Sequence, residues 1–392
     1  MPFLRLINDR GAFVDYPQTL PRFKLPGHRD PFADAIPMTT SLFRPALSRM
    51  KPYAPGEQSA PGKTIKLNTN ENPYPPPPAV VAAIKTAADG ALNRYPDPMA
   101  TAFRIAAAEA LNLPGPDWVL AGNGSDEILT LLVRGFVGEG QTLRLPYPSY
   151  ILYRTLADIQ GARWDQVAFD EDWQLPAAFA DGDDDLRLIM LPNPNSPSGT
   201  VLPPDEVAAI ADRAKCMMLV DEAYADFAPT NCLQLVQDNP RVVVSRTLSK
   251  SYGLAGMRFG FLVAQPDIIA ELAKIKDSYN CDAISIAAAT AAMQSQSWLS
   301  DIVAKMNATR QTMQSDLSDM GFNVTPSSAN FVWCIHPSGR HHDIYQTLKR
   351  NQILIRYMDF PDFGDGIRIS VGSDDQWSAC RMILQQTINK LS

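Results

Sequence analysis

Hydrophobic positions recur every three or four residues over residues 99–111, 125–137 and 204–215, which predicts three amphipathic helices. Between and after them lie short runs rich in β-branched and aliphatic residues, at 141–145, 187–191, 217–221, 241–245 and 259–264. Short apolar runs alternating with helical stretches predict a mostly parallel sheet covered by helices on both faces. The run "PPPPAVVAAIKTAA" predicts a further helix opening close to Pro78, since proline is tolerated in a first helical turn. A long amphipathic stretch from Ser297 to Met320 ends at Gly321. It leads into strand-like "NFVWCI", helix-like "HDIYQTLKR", strand-like "QILIRY" and "GIRISVG", and a last helix from Asp374 to Leu391. The expected organisation is a proline-rich arm over 1–62, a large α/β domain over 63–300 and a smaller α+β domain over 301–392. One short helix is expected in the arm near Ser41 to Met50, and "DGDDD" at Asp181 to Asp185 reads as a solvated loop.

Composition narrows the class. The 392 residues are 45% hydrophobic and 20% charged, the profile of an ordinary globular protein. A net charge of −7 argues against a general nucleic-acid binder, which needs a basic footprint. No apolar run approaches the roughly 20 residues that span a bilayer, and the N-terminus lacks the long apolar segment of a secretory signal. The five cysteines, Cys216, Cys232, Cys281, Cys334 and Cys380, form no C-x-x-C pair, which fits unpaired thiols in the cytoplasm and no zinc site.

In open α/β sheets ligands bind beyond the carboxyl ends of the strands. There, "PNPNSPSG" follows "RLIML", "DEAYADF" follows "MMLV" and "RTLSK" follows "VVVS". Each alone reads as an ordinary turn. Together they bring an amide, a carboxylate with a phenol, and an amine to one edge. An amine that can lose its proton forms a Schiff base with an aldehyde. A carboxylate beside a pyridine nitrogen keeps that nitrogen protonated, and a phenol and an amide hydrogen-bond a ring oxygen. "AGNGSDEIL" adds glycines and then Ser125 at a helix start, where a phosphate binds. Lys250 with Asp221 is thus the protein half of pyridoxal phosphate chemistry. Two competing motifs fail: Glu127 stands where a dinucleotide fingerprint needs its third glycine, and Val244 and Ser249 occupy the glycine positions of a P-loop.

The segments "LNTNENPYPPPP", "RYPDP", "GNGSDEIL", "PYPSY", "PNPNSPSG", "DEAYADF", "RTLSKSYGLAGMRFG" and "GIRISVG" span Leu67 to Gly372. With them the chain resembles the fold-type I pyridoxal-phosphate aminotransferases, and among these the histidinol-phosphate aminotransferase family. The resemblance implies a homodimer that transfers an amino group from histidinol phosphate to 2-oxoglutarate. Lys250 would carry the cofactor and shuttle the proton. Asp221 would pair with the ring nitrogen, Tyr224 would touch the ring hydroxyl, either Asn195 would shift in or Ser196 would substitute at the ring oxygen, and Tyr150 would stack on the ring. Ser125, Asp126, Thr247, Ser249 and Arg258 would cradle the phosphate, with Tyr95 reaching it from the partner subunit. Arg368 would grip the substrate carboxylate, Arg356 and Arg368 together the substrate phosphate, and Tyr74 would lie near the imidazole.

The chain also departs from the family pattern. Ser196 stands where the family's asparagine precedes proline, the N-terminal arm is long, and Trp333 is bulky enough to crowd a substrate pocket. "HPSGRHH", with His336, His341 and His342, reads as an exposed loop, Trp298 and Trp377 as core. Other reactions on the same scaffold stay open, an aromatic or other amino-acid aminotransferase or an amino-acid-phosphate decarboxylase. So, more remotely, does a cofactor-binding regulator, although the arm shows no helix-turn-helix pattern.

Overall fold

The computed structural model describes residues 4–7, 13–16, 42, 44, 47, 50, 56–58 and 64–391. These fall into two compact units, 1–49 and 50–392. In the first, strands β1 (Leu4–Ile7) and β2 (Phe13–Tyr16) pair antiparallel, inside the stretch expected to be an extended arm. The short helix expected over 41–50 lies largely outside the described residues.

The second unit opens with β3 (Ile65–Lys66), α1 (Pro78–Ala88) and α2 (Thr101–Ala110). Then come β4 (Val119–Gly122), α3 (Ser125–Phe136), β5 (Thr142–Tyr147), α4 (Leu152–Gln160), β6 (Arg163–Ala168) and β7 (Leu186–Pro192). They are followed by α5 (Pro204–Ala214), β8 (Met217–Asp221), α6 (Leu233–Asp238), β9 (Val242–Thr247), β10 (Gly260–Val263), α7 (Pro266–Ala273) and α8 (Ala283–Met293). Strands β4 to β10 form a seven-stranded sheet in the order β4-β10-β9-β8-β7-β5-β6. Only β10 runs against its neighbours. The remaining pairings are parallel. All six residues of β9 (VVVSRT) are buried, as a strand covered on both faces requires. The carboxyl ends of β5, β7, β8 and β9 therefore share one edge, and it is this edge that carries the chemistry.

Helix α9 (Gln296–Asp319) leads to β11 (Asn323–Val324), β12 (Phe331–Ile335), α10 (His341–Arg350), β13 (Ile353–Leu354), β14 (Arg356–Phe360), β15 (Gly364–Ser370) and α11 (Asp374–Leu391). A four-stranded sheet, β11-β12-β15-β14, has its own apolar core. Leu299 of α9 packs into the core of the large sheet, while Met306, Met313 and Leu317 pack into that of the small one. The helix thus spans both cores, and the expected boundary at 300 falls inside it. Leu67 also belongs to the second core, because β3 pairs in parallel with β13.

Three expectations need correction. "QILIRY" is two strands, since β13 pairs with β3 and β14 with β15. His341 is buried at the start of α10, where its Nε2 accepts the His336 N–H at 2.8 Å and its Nδ1 lies 3.0 Å from Asp365 Oδ1. Trp333 does not itself line the cavity described below; it is buried with Phe169 and Trp173 against Gly366, where an added Cβ would meet the indole at 2.5 Å.

Candidate active site

A cavity of about 830 Å³ opens at the carboxyl edge of the large sheet, walled on its far side by β14, β15 and residues 68–70. Ser125, Asp126, Tyr150, Asp221, Tyr224, Thr247, Ser249, Lys250, Arg258, Arg356 and Arg368 all line it. Among the expected site residues, Tyr74, Tyr95 and Asn195 do not.

Lys250 follows β9, and its Nζ donates to the Thr69 carbonyl at 3.2 Å and stands 5.8 Å from the centre of the Tyr224 ring. The Tyr224 hydroxyl accepts from Asn70 Nδ2 at 3.0 Å, which leaves its own proton to donate elsewhere. Behind these groups Arg246 of β9 binds the buried Glu222 at 2.7 Å and Asp226 at 3.1 Å. That network ties the loop carrying Tyr224 to the strand that leads to Lys250.

Asp221 ends β8. Burial pushes its carboxyl above the ordinary aspartate range. Two hydroxyls oppose the rise: Tyr153 donates to Oδ2 at 2.8 Å and Ser245 to Oδ1 at 3.0 Å. The same burial, with the Asp221 carboxylate alongside, holds the Tyr153 phenol well above its usual range, so Tyr153 remains a donor.

At the opposite end, α3 begins at Ser125 behind Gly124, and no side chain caps its first N–H groups. Two glycines permit the close packing here. Gly124 has φ +77°, and a Cβ on it would meet the Arg258 guanidinium at 2.6 Å. A Cβ on Gly260 would stand 2.4 Å from the Ser125 nitrogen. Arg258 reaches Asp126 at 3.1 Å, and the Ser249 hydroxyl is buried without a partner among the described residues. Exposed N–H groups at a helix start, a neighbouring guanidinium and an unsatisfied hydroxyl make an anion cradle.

Arg356 and Arg368 are directly opposite in the antiparallel β14–β15 ladder. Facing residues of such a ladder project to the same side, and like charges there repel. Arg368 donates to the Ser196 hydroxyl at 2.8 Å and to the Asn68 carbonyl at 3.2 Å. Both arginines line the cavity, so an anion there meets two guanidiniums.

The asparagine expected at the ring oxygen sits elsewhere. Asn195 Nδ2 donates to the Pro148 carbonyl and the Ser198 hydroxyl, and Ser196 is the loop residue that lines the cavity. Tyr74 packs on the smaller core with Lys305 Nζ 4.3 Å from its ring centre. Tyr95 is 79% exposed and stacks on Tyr279 with ring centres 4.3 Å apart. The sequence reading missed Tyr153, Ser245, Thr69 and Asn70. Only the strand-end position of Thr69 and Asn70 in "LNTNEN" hinted at a site; Tyr153 looks like any apolar-face residue of α4.

Residues 62–379 match the family described as aminotransferase class I and II. A histidinol-phosphate aminotransferase from Rhodopirellula baltica is 69% identical over 350 residues, 89% of this chain and 97% of that protein. Histidinol-phosphate aminotransferase 1 from Trichormus variabilis is 42% identical over 341 residues, 86% and 96% of the two chains. The crystal structure of histidinol-phosphate aminotransferase from Sinorhizobium meliloti in complex with pyridoxal-5'-phosphate superposes with a TM-score of 0.83 at 28% identity, covering 90% of this chain and 99% of that one.

Proposed function

We propose how this chain, which belongs to the class I and II aminotransferases and within them to the histidinol-phosphate aminotransferase family, moves an amino group with the residues of its own cavity. It is a pyridoxal-phosphate-dependent enzyme acting on histidinol phosphate, with 2-oxoglutarate as acceptor. The observation that carries this reading is the pair of facing arginines, Arg356 and Arg368, in one cavity with Lys250 and Asp221.

The cavity residues fit pyridoxal phosphate. The uncapped start of α3 at Ser125 and Asp126, with Thr247, Ser249 and Arg258, takes the phosphate. Asp221 takes the ring nitrogen, where a positive charge offsets the cost of burying its carboxylate. Tyr224 donates its free proton to the ring hydroxyl, and Tyr150 covers the ring. Asn195 supports the loop that presents Ser196. Once bound, the cofactor supplies an electron sink for the charge left when the donor carbon loses its proton.

Lys250 Nζ holds the cofactor at rest and is the proton carrier during turnover. It would take the proton from the donor carbon and deliver it to the cofactor's aldehyde carbon. The Thr69 carbonyl anchors it against the cavity wall. Arg368 and Arg356 bind the donor's phosphate, and the same pair receives the distal carboxylate of 2-oxoglutarate. The five cysteines are all buried and free, which fits a reducing compartment, the cytoplasm.

An amine-donor panel with 2-oxoglutarate, followed by the cofactor's spectrum in each half-reaction, tests the assignment. Histidinol phosphate is expected to show the highest kcat/KM. A preference for phenylalanine would replace this reading with an aromatic aminotransferase, and carbon dioxide release from an amino-acid phosphate would replace it with a decarboxylase.

The active form is proposed to be a homodimer in which Tyr95, outside its own cavity and largely exposed, serves the neighbouring site. Lys250→Ala and Tyr95→Phe subunits, each impaired alone, should recover activity on mixing, because one mixed site then carries both native residues. Absence of recovery despite demonstrated subunit exchange counts against the shared site.

A further inference from the structure

We propose that Tyr153 is a positioning residue for Asp221, its hydroxyl fixing the carboxylate that serves the cofactor's ring nitrogen. The inference rests on the functional reading above and concerns a residue outside the family's expected site. Tyr153 lies one residue into α4, 0% exposed, with its ring edge-on to Tyr150 at 5.6 Å and 88°. Its hydroxyl donates to Asp221 Oδ2 at 2.8 Å while Ser245 takes Oδ1 at 3.0 Å. Each carboxylate oxygen thus has one protein hydroxyl, so the group cannot rotate without losing a buried bond. The turn that leads into α4, where the Tyr153 N–H bonds the Tyr150 carbonyl, therefore sets both the residue that faces the ring, Tyr150, and the support of the residue that meets its nitrogen.

The groups around Asp221 show why a donor is needed. Asp126 on α3 carries like charge and, with burial, favours the protonated carboxyl. Tyr153 and Ser245 oppose it. Tyr150, Tyr224 and Lys250 line the same cavity. A protonated Asp221 would leave the ring nitrogen neutral and the electron sink weak. Asp221 and the ring nitrogen titrate as a pair. Loss of one donor therefore moves the shared proton from the ring towards the carboxyl.

Tyr153→Phe removes only the hydroxyl. With ring-nitrogen-labelled (15N) pyridoxal phosphate bound, the nitrogen resonance is expected to move towards the neutral-pyridine position. The acid limb of the kcat profile is expected to rise by about one to two pH units, the scale of one charged hydrogen bond. Tyr153→His keeps an N–H donor on a smaller ring. A donor role places it nearer the wild type than Tyr153→Phe, and a packing role places it further away. An unmoved resonance in folded Tyr153→Phe, or the reverse order of the two variants, overturns the proposal. Should Tyr153→Phe fail to fold, Ser245→Ala must shift the resonance in the same direction, and an unchanged signal there overturns it too. Failure of the functional reading is separate: it appears as borohydride label absent from Lys250 in the wild type.

Discussion

Lys250→Ala is expected to lower kcat by roughly 10⁴-fold or more, the upper end of what one positioned proton-transfer group contributes. The loss should exceed that of any other single substitution in the cavity, because two roles end together. Among the described residues no other lysine lines the cavity, so none of them can hold the cofactor at rest or carry the proton in its place. Borohydride treatment of the wild type should fix the cofactor to the peptide containing Lys250, and the variant should take up no stable label. Label on a different lysine, or turnover within tenfold of the wild type, would sink the assignment.

Arg356→Ala should give the second-largest effect, and a selective one. Its guanidinium faces that of Arg368 across the β14–β15 ladder. A lost charge-assisted bond is worth about 1.5–3 kcal/mol, or roughly a tenfold to hundredfold fall in kcat/KM for histidinol phosphate. Histidinol, which lacks the phosphate, should be hardly affected, and the cofactor's spectrum should be unchanged. The variant should also fold at least as well, since one of two opposed like charges is gone. Equal losses for both donors would remove the phosphate role and leave Arg356 as part of the cavity wall.

Much of this site was legible because strand ends in a parallel sheet are few and are read directly from sequence. "VVVS" before "RTLSK" places Lys250 there, and "MMLV" before "DEAY" places Asp221. The facing of Arg356 and Arg368 was likewise readable, since two strand-like runs joined by a short turn fold back in antiparallel register. Other elements gave no usable signal. Strand β6 (RWDQVA) is an edge strand and alternates poorly between apolar and polar. Tyr150 precedes α4 and Tyr153 sits in its first turn, and only the tertiary approach of β8 shows that the buried phenol meets a carboxylate. Ser196 stands in the place of the family's asparagine before proline, and the loop turns the neighbouring Asn195 to Pro148 and offers Ser196 to Arg368. His341 sits among exposed polar neighbours, and its burial comes from the fold of α10 onto β15.

The pairing of β3 with β13 bears on how the protein is made. Residues 68–70 supply one wall of the cavity, but the hydrogen-bond partners of the segment 65–70 lie near the other end of the chain. The Ser370 N–H reaches the Leu67 carbonyl, and the Ser370 hydroxyl reaches Asn70 across a separation of 300 residues. At ribosomal rates of about 5–20 residues per second, that wall waits roughly 15–60 s for its counterpart to be synthesised. During that interval the large sheet can form while the Thr69 carbonyl that anchors Lys250 has no fixed place. Complete cofactor capture is therefore an event of the finished chain, and a polypeptide ending before β15 retains Lys250 and Asp221 without an enclosed site around them.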